Sequence, residues 1–167
     1  MLIIYRVVWI RREMMEARVA KEKYVRTANH VRLASAWLIA QRATETASLQ
    51  GRPVAVAVLD ASGAPVLTLK MDGAPDPCRD IAMRKARTAL AFAIPTHRWH
   101  ERLETLSPAV RLGLPLQEGL AFFGGGEPLS YRSEVVGAIG VSGASEAEDG
   151  AIAQAAAEYF ADLLADG

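Results

Sequence analysis

The sequence predicts a mixed α/β fold, and three observations support this prediction. An apolar run at 54–59 is followed by turn residues and an alternating run at 66–70, which is the pattern of a β-hairpin. Apolar residues recur at helical spacing within residues 25–49. A β-branched run at 134–141 passes through small residues into a helix start at Ser145. We therefore expect strands and helices to share one hydrophobic core.

Length and charge limit the possible functions. The chain has 167 residues, 51% of them hydrophobic, which is enough to bury a continuous core in a single domain. Lys plus Arg and Asp plus Glu are both 19, so the formal net charge is zero. No overall field attracts nucleic acid or an anionic membrane, and we expect neither as a partner. The same weak charge repulsion permits self-association.

Cysteine content and the N-terminal apolar run bear on the compartment. Cys78 is the single cysteine and cannot form an internal disulfide, which fits a reducing compartment. The apolar run at 2–10 contains Arg6 and is shorter than the ~20 residues needed to cross a bilayer. It lacks a preceding basic segment and a convincing cleavage site, so a signal peptide is not expected. We predict a cytoplasmic protein.

Residues 1–24 differ in composition from the rest of the chain. Their apolar start is followed by a highly charged, helix-permissive run. We predict a helical or disordered extension here, or a start codon assigned too early. Translation could begin at Met1, Met14 or Met15, and the sequence does not decide between them.

The first predicted helix spans 25–49 and ends before Gly51 and Pro53. His30 lies at the edge of its apolar stripe, close to Val31. A histidine in this position is usually a hydrogen-bonded boundary residue, and a ligand-binding role is the alternative.

The predicted hairpin places one acidic residue at its turn and another at the sheet end. Asp60 begins the turn Asp60-Ala61-Ser62-Gly63, and we expect its carboxylate to cap that turn. Asp72 follows the second strand in a Gly/Pro loop, where a side chain can reach a pocket.

A second helix is predicted from Asp76, as the cap, and Pro77 to about Ala93. Its apolar stripe is narrow and rich in alanine, which allows close packing on a sheet. Lys85 lies among small neighbours that leave its side chain a path inward.

Short helical turns are expected between Pro95 and Pro115. His97 and His100 are three residues apart, with Glu101 and Glu104 beside them. This group lacks the spacing of a zinc hydrolase helix, so a solvated loop is favoured over a metal site.

A glycine-rich segment precedes the last strand. Residues 120–123 are predicted to form a short strand that ends in Gly124, Gly125 and Gly126. The glycines lack the residues that complete a phosphate-binding loop, and no GxGxxG pattern opens a helix. After the last strand, Ser145 and Glu148 have the spacing of a capping box.

The order of these motifs resembles the GlcG/HbpS family of haem-binding or haem-linked proteins. That family includes the C-terminal domain of PduO-type cobalamin adenosyltransferases. The resemblance covers roughly residues 25–165 and rests on six segments: VAVAVLDASG at 54–63, LKMDGAP at 69–75, IAMRKARTALAF at 81–92, IPT at 94–96, FFGGGEPL at 122–129 and EVVGAIGVSGASEAED at 134–149.

The resemblance implies a profilin-like three-layer sandwich, with a mostly antiparallel sheet of about five strands flanked by helices. It implies a single domain over 25–167 and a homo-oligomer of two to eight chains. Where the family commonly has an aspartate-glycine turn between its last strands, this chain has Tyr131-Arg132-Ser133. Residues 1–24 lie outside the resemblance.

The resemblance also implies a small-molecule ligand, with haem as the possible cofactor. In one branch the haem ligand is a histidine on the first helix, which corresponds to His30. For a small carboxylate ligand, Asp72 and Lys85 would be the polar pair in the pocket. The implied ligand-binding residues beside that pair are Gly73, Gly125, Gly126, Glu127, Ser142 and Gly143.

Three functions follow, and the first is narrowly favoured. The protein binds haem or a small molecule as an accessory to a catabolic or cofactor pathway. The first alternative is an isomerase, lyase or hydrolase of a small organic acid that uses Asp72 and Lys85. The second is an oligomeric structural or accessory protein without a ligand. No metal site is expected.

Overall fold

The computed structural model describes residue 24 and residues 27–165, so the predicted extension lies almost entirely outside the described residues. In chain order the elements are α1 (Leu33–Leu49), β1 (Ala55–Asp60), β2 (Pro65–Lys70), α2 (Cys78–Phe92), a 3-10 turn (Thr96–Arg98), α3 (Trp99–Glu104), α4 (Pro108–Gly113), a second 3-10 turn (Leu114–Leu116), β3 (Gly126–Tyr131), β4 (Glu134–Ser142) and α5 (Glu146–Ala165).

The described residues form one sheet of four strands in the order β2-β1-β4-β3. Every neighbouring pair is antiparallel, and Val56 of β1 lies opposite both Leu69 of β2 and Val141 of β4. The α/β class and the antiparallel sheet are confirmed, with four strands where about five were expected. The hairpin turn between β3 and β4 places Arg132 and Ser133 at positive φ, 49° and 66°.

Helices cover both faces of the sheet, which confirms the predicted three layers. One face packs Val56 and Val58 against α1 and α5, and Ile39 and Ile152 are fully buried there. The alternate β1 residues face α2 with small side chains such as Ala57. The alternation follows from the two-residue period of a strand.

Helix α2 lies unusually close to the sheet. A Cβ built on Gly140 of β4 would collide with the backbone of Ala82 and Ala86, so this glycine permits the approach. The alanine stripe predicted for α2 therefore has the expected packing role. The helix begins at Cys78 rather than near Asp76. The Asp76 carboxylate lies 3.7 Å from the Lys70 ammonium instead of capping the helix.

Helix α1 begins later than the sequence indicated, at Leu33 rather than near Val25. The preceding residues are extended, and the Val31 amide donates to the Val136 carbonyl of β4 at 2.9 Å. This long-range hydrogen bond holds residues 27–32 against the sheet. The segment is therefore extended, although its apolar residues have helical spacing.

The strand predicted at 120–123 is absent, and β3 begins at Gly126. The Ala121 amide instead donates to the Thr88 hydroxyl at 2.8 Å. The ring of Phe122 packs edge-on against Trp99 at 4.7 Å between centroids. The segment is therefore apolar because it covers α2, not because it joins the sheet.

The region from Pro95 to Pro115 consists of short helical turns, as predicted. None of the helices in the described part of the chain combines the length and apolarity needed to cross a bilayer.

Candidate functional site

Asp60 ends β1 and holds the hairpin turn with one carboxylate oxygen. Its Oδ1 accepts from the Ser62 amide at 2.8 Å, the Ser62 hydroxyl at 2.6 Å and the Ala64 amide at 3.1 Å. The Ser62 hydroxyl, the two amides and nearby His30 lower the pKa of Asp60, although burial opposes the shift. The predicted turn cap is therefore present, and Oδ2 stays available for another partner.

His30 is that partner. Its Nδ1 lies 3.4 Å from Asp60 Oδ2, and 42% of the imidazole side chain is exposed. His30 stands in the extended segment before α1 rather than on the helix. The segment is fixed by the Val31 bond to β4 and by Asn29, whose amide donates to Glu134 Oε2 at 3.0 Å. The imidazole thus faces Asp60 through Nδ1, while a large part of its side chain is open to solvent.

Exposed apolar side chains follow His30 in the sequence. Leu33 is 61% exposed and Trp37 is 59% exposed. They are four residues apart on α1, so they share one face of the helix. Arg32, which precedes Leu33 in the chain, is also exposed and carries a positive charge.

Lys85 of α2 is buried, with 1% of its surface exposed. Its ammonium donates to Asp149 Oδ2 at 2.8 Å and to the Val141 carbonyl at 3.0 Å. The ring of Phe123 lies 4.9 Å away. Burial lowers the pKa of Lys85, while the hydrogen bond and charge of Asp149 oppose that shift.

Gly125 makes this inward path possible. A Cβ at this residue would lie 2.7 Å from the Lys85 Nζ and 2.5 Å from the Val141 carbonyl oxygen. Asp149 Oδ1 accepts from the Ala144 amide at 3.0 Å, so the pair joins α2 to the start of α5. This is a structural role for Lys85.

The structure does not pair Lys85 with Asp72. Asp72 is exposed in the loop after β2, and its side chain has no hydrogen bond or ion pair among the described residues. The sequence missed Asp149 as the partner because the two residues are 64 positions apart. The catalytic roles of Asp72 and Lys85 remain predictions, and the separate surroundings of the two side chains do not support them.

The predicted ligand-contacting glycines mostly face protein atoms. A Cβ at Gly126 would collide with the Lys85 carbonyl and the Thr96 methyl, and one at Gly143 would lie 2.5 Å from the Pro53 carbonyl oxygen. Gly73 has φ +86° and ordinary contact with Pro53 at 3.8 Å. Ser142 is buried at the end of β4. Close packing accounts for Gly126 and Gly143 without a ligand.

Glu127, also predicted to contact a ligand, has an unusual environment at the start of β3. Only 9% of its side chain is exposed, and its Oε1 has no hydrogen-bond partner among the described residues. Burial raises the pKa of Glu127 to about 7; Arg98 opposes the shift and Glu158 adds to it.

His97 lies beside that oxygen, with its Nδ1 3.5 Å from Glu127 Oε1. The 3-10 turn that carries His97 is fastened by Thr96, whose hydroxyl accepts from the Gly126 amide at 2.8 Å. Half of the His97 side chain is exposed. It borders a cleft of about 480 Å³ lined by His97, Glu146, Ala147, Gly150, Ala151 and Gln154.

The second histidine of this region behaves differently. His100 is 85% exposed and lies 3.8 Å from Glu104. No set of three or more His, Cys, Asp or Glu side chains in the described residues is arranged to hold a metal ion.

Comparison with known proteins places the chain in a family. The family model described as "Haem degrading protein HbpS-like" matches residues 31–158, which is most of the chain. The chain belongs to the HbpS-like family. The resemblance inferred from the order of motifs is confirmed.

Solved structures of the HbpS-like family share the fold. A double mutant of Streptomyces reticuli HbpS superposes with a TM-score of 0.74 at 36% identity, covering 81% of this chain and 90% of that one. The PduOC:heme complex superposes with a TM-score of 0.70 at 29% identity, covering 77% and 94%.

A longer protein shares this HbpS-like region. The corrinoid adenosyltransferase PduO of Salmonella typhimurium is 32% identical over 118 residues, which is 71% of this chain but 35% of PduO. The chain therefore spans about a third of that enzyme.

Proposed function

We propose that this HbpS-like protein binds haem, that His30 is the iron ligand, and that the protein is an accessory to a catabolic or cofactor pathway. The observation that carries the proposal is the contact between His30 Nδ1 and Asp60 Oδ2 at 3.4 Å. A histidine that binds a metal commonly faces a carboxylate through its other nitrogen, which orients the ring and makes it a better donor.

The surroundings of the three histidines support the choice of His30 as the iron ligand. His97 Nδ1 also faces a carboxylate, but that carboxyl has a pKa raised to about 7, so it is a weaker acceptor near neutral pH. The pKa of Asp60 is lowered, so Asp60 is ionised there. His100 is 85% exposed and has only an exposed glutamate beside it.

The surface next to His30 suits the other parts of haem. The exposed side chains of Leu33 and Trp37 offer apolar area to a flat macrocycle. Arg32 can pair with a propionate. Bound haem would supply an iron centre for ligand or electron exchange, and that chemistry belongs to the cofactor.

The relatives support haem as the ligand, but they do not identify the residue that binds the iron in this chain. One neighbour of the same fold is a haem complex. The family match begins at residue 31, directly after His30, so the assignment of His30 rests on its contacts here. We also propose a cytoplasmic location, since the single cysteine fits a reducing compartment, and assembly into a homo-oligomer.

Titration with hemin tests the proposal. We expect the Soret band of the wild-type protein to shift and saturate as hemin is added. His30→Ala should bind hemin at least about tenfold more weakly, because the iron ligand is lost. His100→Ala is the matched control and should titrate like the wild type.

Two results would contradict the proposal in different ways. An unchanged hemin spectrum in the wild-type protein would exclude haem binding. A normal titration by His30→Ala, with loss in His97→Ala, would keep haem but move the ligand to the cleft. Far-UV circular dichroism of each variant checks that the fold is intact.

A further inference from the structure

The cleft beside His97 has a floor of small residues on α5. Ala147, Gly150 and Ala151 are spaced by three and four positions, so they lie on one face of the helix. Glu146 and Gln154 border the same cleft eight residues apart, which corresponds to ~12 Å along the helix. A flat ring fits such a floor better than a branched chain does, because no side chain beyond a methyl projects from it.

The other side of the cleft carries an imidazole backed by a buried carboxyl. His97 Nδ1 lies 3.5 Å from Glu127 Oε1, an oxygen without a hydrogen-bond partner among the described residues. The two ring nitrogens of histidine lie on different edges. With Nδ1 turned to Glu127, Nε2 of the half-exposed ring is left for a molecule in the cleft.

The charges of the lining restrict the ligand. Among its six residues there is no Lys or Arg, and Glu146 contributes an exposed carboxylate. A ligand that is already an anion would meet this negative charge, whereas a neutral ligand that ionises only as His97 becomes positive leaves the net charge of the site unchanged. A neutral ring that brings its own hydrogen-bond donor suits the imidazole and the apolar floor.

We propose that His97 and Glu127 form an acid–base pair that binds a neutral hydroxylated aromatic ring, a phenol, in this cleft. The phenol O–H bond breaks as its proton moves to His97 Nε2. The products are a bound phenolate and an imidazolium, which the Glu127 carboxylate stabilises. The proton returns when the phenol leaves, so no other reactant is needed. Glu127 is a positioning residue, and His97 contacts the ligand.

The charged groups around Glu127 determine whether its carboxyl is ionised, and therefore when the His97–Glu127 pair can stabilise a phenolate. His97 and Arg98 face it from the 3-10 turn, and Glu158 faces it from α5. Arg98 favours the ionised carboxylate and Glu158 disfavours it. We therefore expect the ability of the pair to hold a phenolate to increase as Glu127 ionises.

The probe is 4-nitrophenol, whose phenolate absorbs visible light while its neutral form does not. It is titrated against the protein in a series of buffers that spans the pKa of Glu127, about 7, and the phenolate absorbance of protein-free 4-nitrophenol is subtracted at each pH. We expect a saturable visible signal from the wild-type protein, and an affinity for His97→Ala weaker by at least about tenfold. His97→Gln, which keeps a polar side chain but no comparable base, should lose the visible signal as well.

The Glu127→Gln variant distinguishes a positioning role of Glu127 from a purely structural one. It should still bind 4-nitrophenol by equilibrium dialysis, yet show a smaller phenolate signal that no longer increases as Glu127 would ionise. His100→Ala and His30→Ala should behave like the wild type, which makes this site independent of haem binding.

Two outcomes would overturn the inference. One is saturable 4-nitrophenol binding of equal strength in His97→Ala. The other is the absence of a saturable signal in the wild-type protein. Neither outcome bears on the hemin titration, so the two proposals fail separately.

Discussion

At the residue scale, the Lys85–Asp149 pair carries two buried charges that depend on each other. Their side chains are 1% and 4% exposed, and the Nζ–Oδ2 distance is 2.8 Å. Removing one partner of such a pair leaves an unpaired charge in the interior, which is costly. The pair is therefore a condition for the side-chain link between α2 and the start of α5.

We predict that Asp149→Ala lowers the free energy of unfolding by about 3–5 kcal/mol, measured by urea denaturation. The double variant Lys85→Met with Asp149→Ala should recover much of this loss, because neither charge is then buried. A loss well under ~1 kcal/mol in the single variant would show that the pair is not needed.

Glu127 gives the stability a pH dependence of known sign. Its pKa is raised from 4.5 to about 7 in the folded protein. The folded state therefore binds the proton more tightly than the unfolded state does. This stabilisation is fully present below the unfolded pKa and is lost as pH rises through the folded pKa.

We predict that Glu127 contributes a decrease in unfolding free energy on the order of 3 kcal/mol as pH rises from about 4.5 to above 7. Urea denaturation across this range should show a weaker decrease for Glu127→Gln, which cannot ionise. Parallel curves for the two proteins would mean that the pKa of Glu127 is near its ordinary value.

At the element scale, α2 lies on β4 without side chains between their backbones at Gly140. A methyl group there would meet the backbone of Ala82 and Ala86. By contrast, a Cβ on Gly113, at the end of α4, meets nothing within 4 Å. The two glycines have different roles that a stability measurement can separate.

We predict that Gly140→Ala destabilises the protein by about 1–3 kcal/mol or more in thermal or urea unfolding, because the helix must move away from the sheet. Gly113→Ala is the matched control and should change the stability little. Equal stabilities of the two variants would contradict the close packing of α2.

Elements were predictable where local patterns decide them. The hairpin of β1 and β2 and the capping box of Ser145 and Glu148 follow from residues close in sequence, and both are present. The start of α1 and the absence of a strand at 120–123 depend on distant partners, Val136 and Thr88. A single sequence contains no signal for such partners.

The same limit applies to the candidate sites. The sequence singled out His30, Lys85 and Glu127, but it gave no sign that the Lys85 ammonium donates to Asp149, and it treated Asp60 only as a turn cap. The histidine–carboxylate contacts of His30 and His97 join residues 30 positions apart in each case. Only the fold brings them together.

At the scale of the whole molecule, the absence of net charge favours association of copies. The chain carries 19 basic and 19 acidic residues. Leu33 and Trp37 of α1, and Leu112 and Leu116 near α4, are large apolar side chains that are more than half exposed. Contact with another copy would remove such area from water.

We predict a homo-oligomer of two to eight chains when the purified protein is measured by light scattering during gel filtration. Lowering the salt concentration should change the assembly little, since the chains carry no net charge to repel each other. A monomer at all accessible concentrations would contradict this prediction.

The central claim is that His30 binds the iron of haem, and the rate of haem loss tests it most directly. Hemin-loaded protein is mixed with excess apomyoglobin, and the transfer is followed in the Soret band. We expect His30→Ala to lose hemin at least about tenfold faster than the wild type, because loss of a contact mainly raises the dissociation rate. Equal rates for the wild type and His30→Ala would contradict the claim.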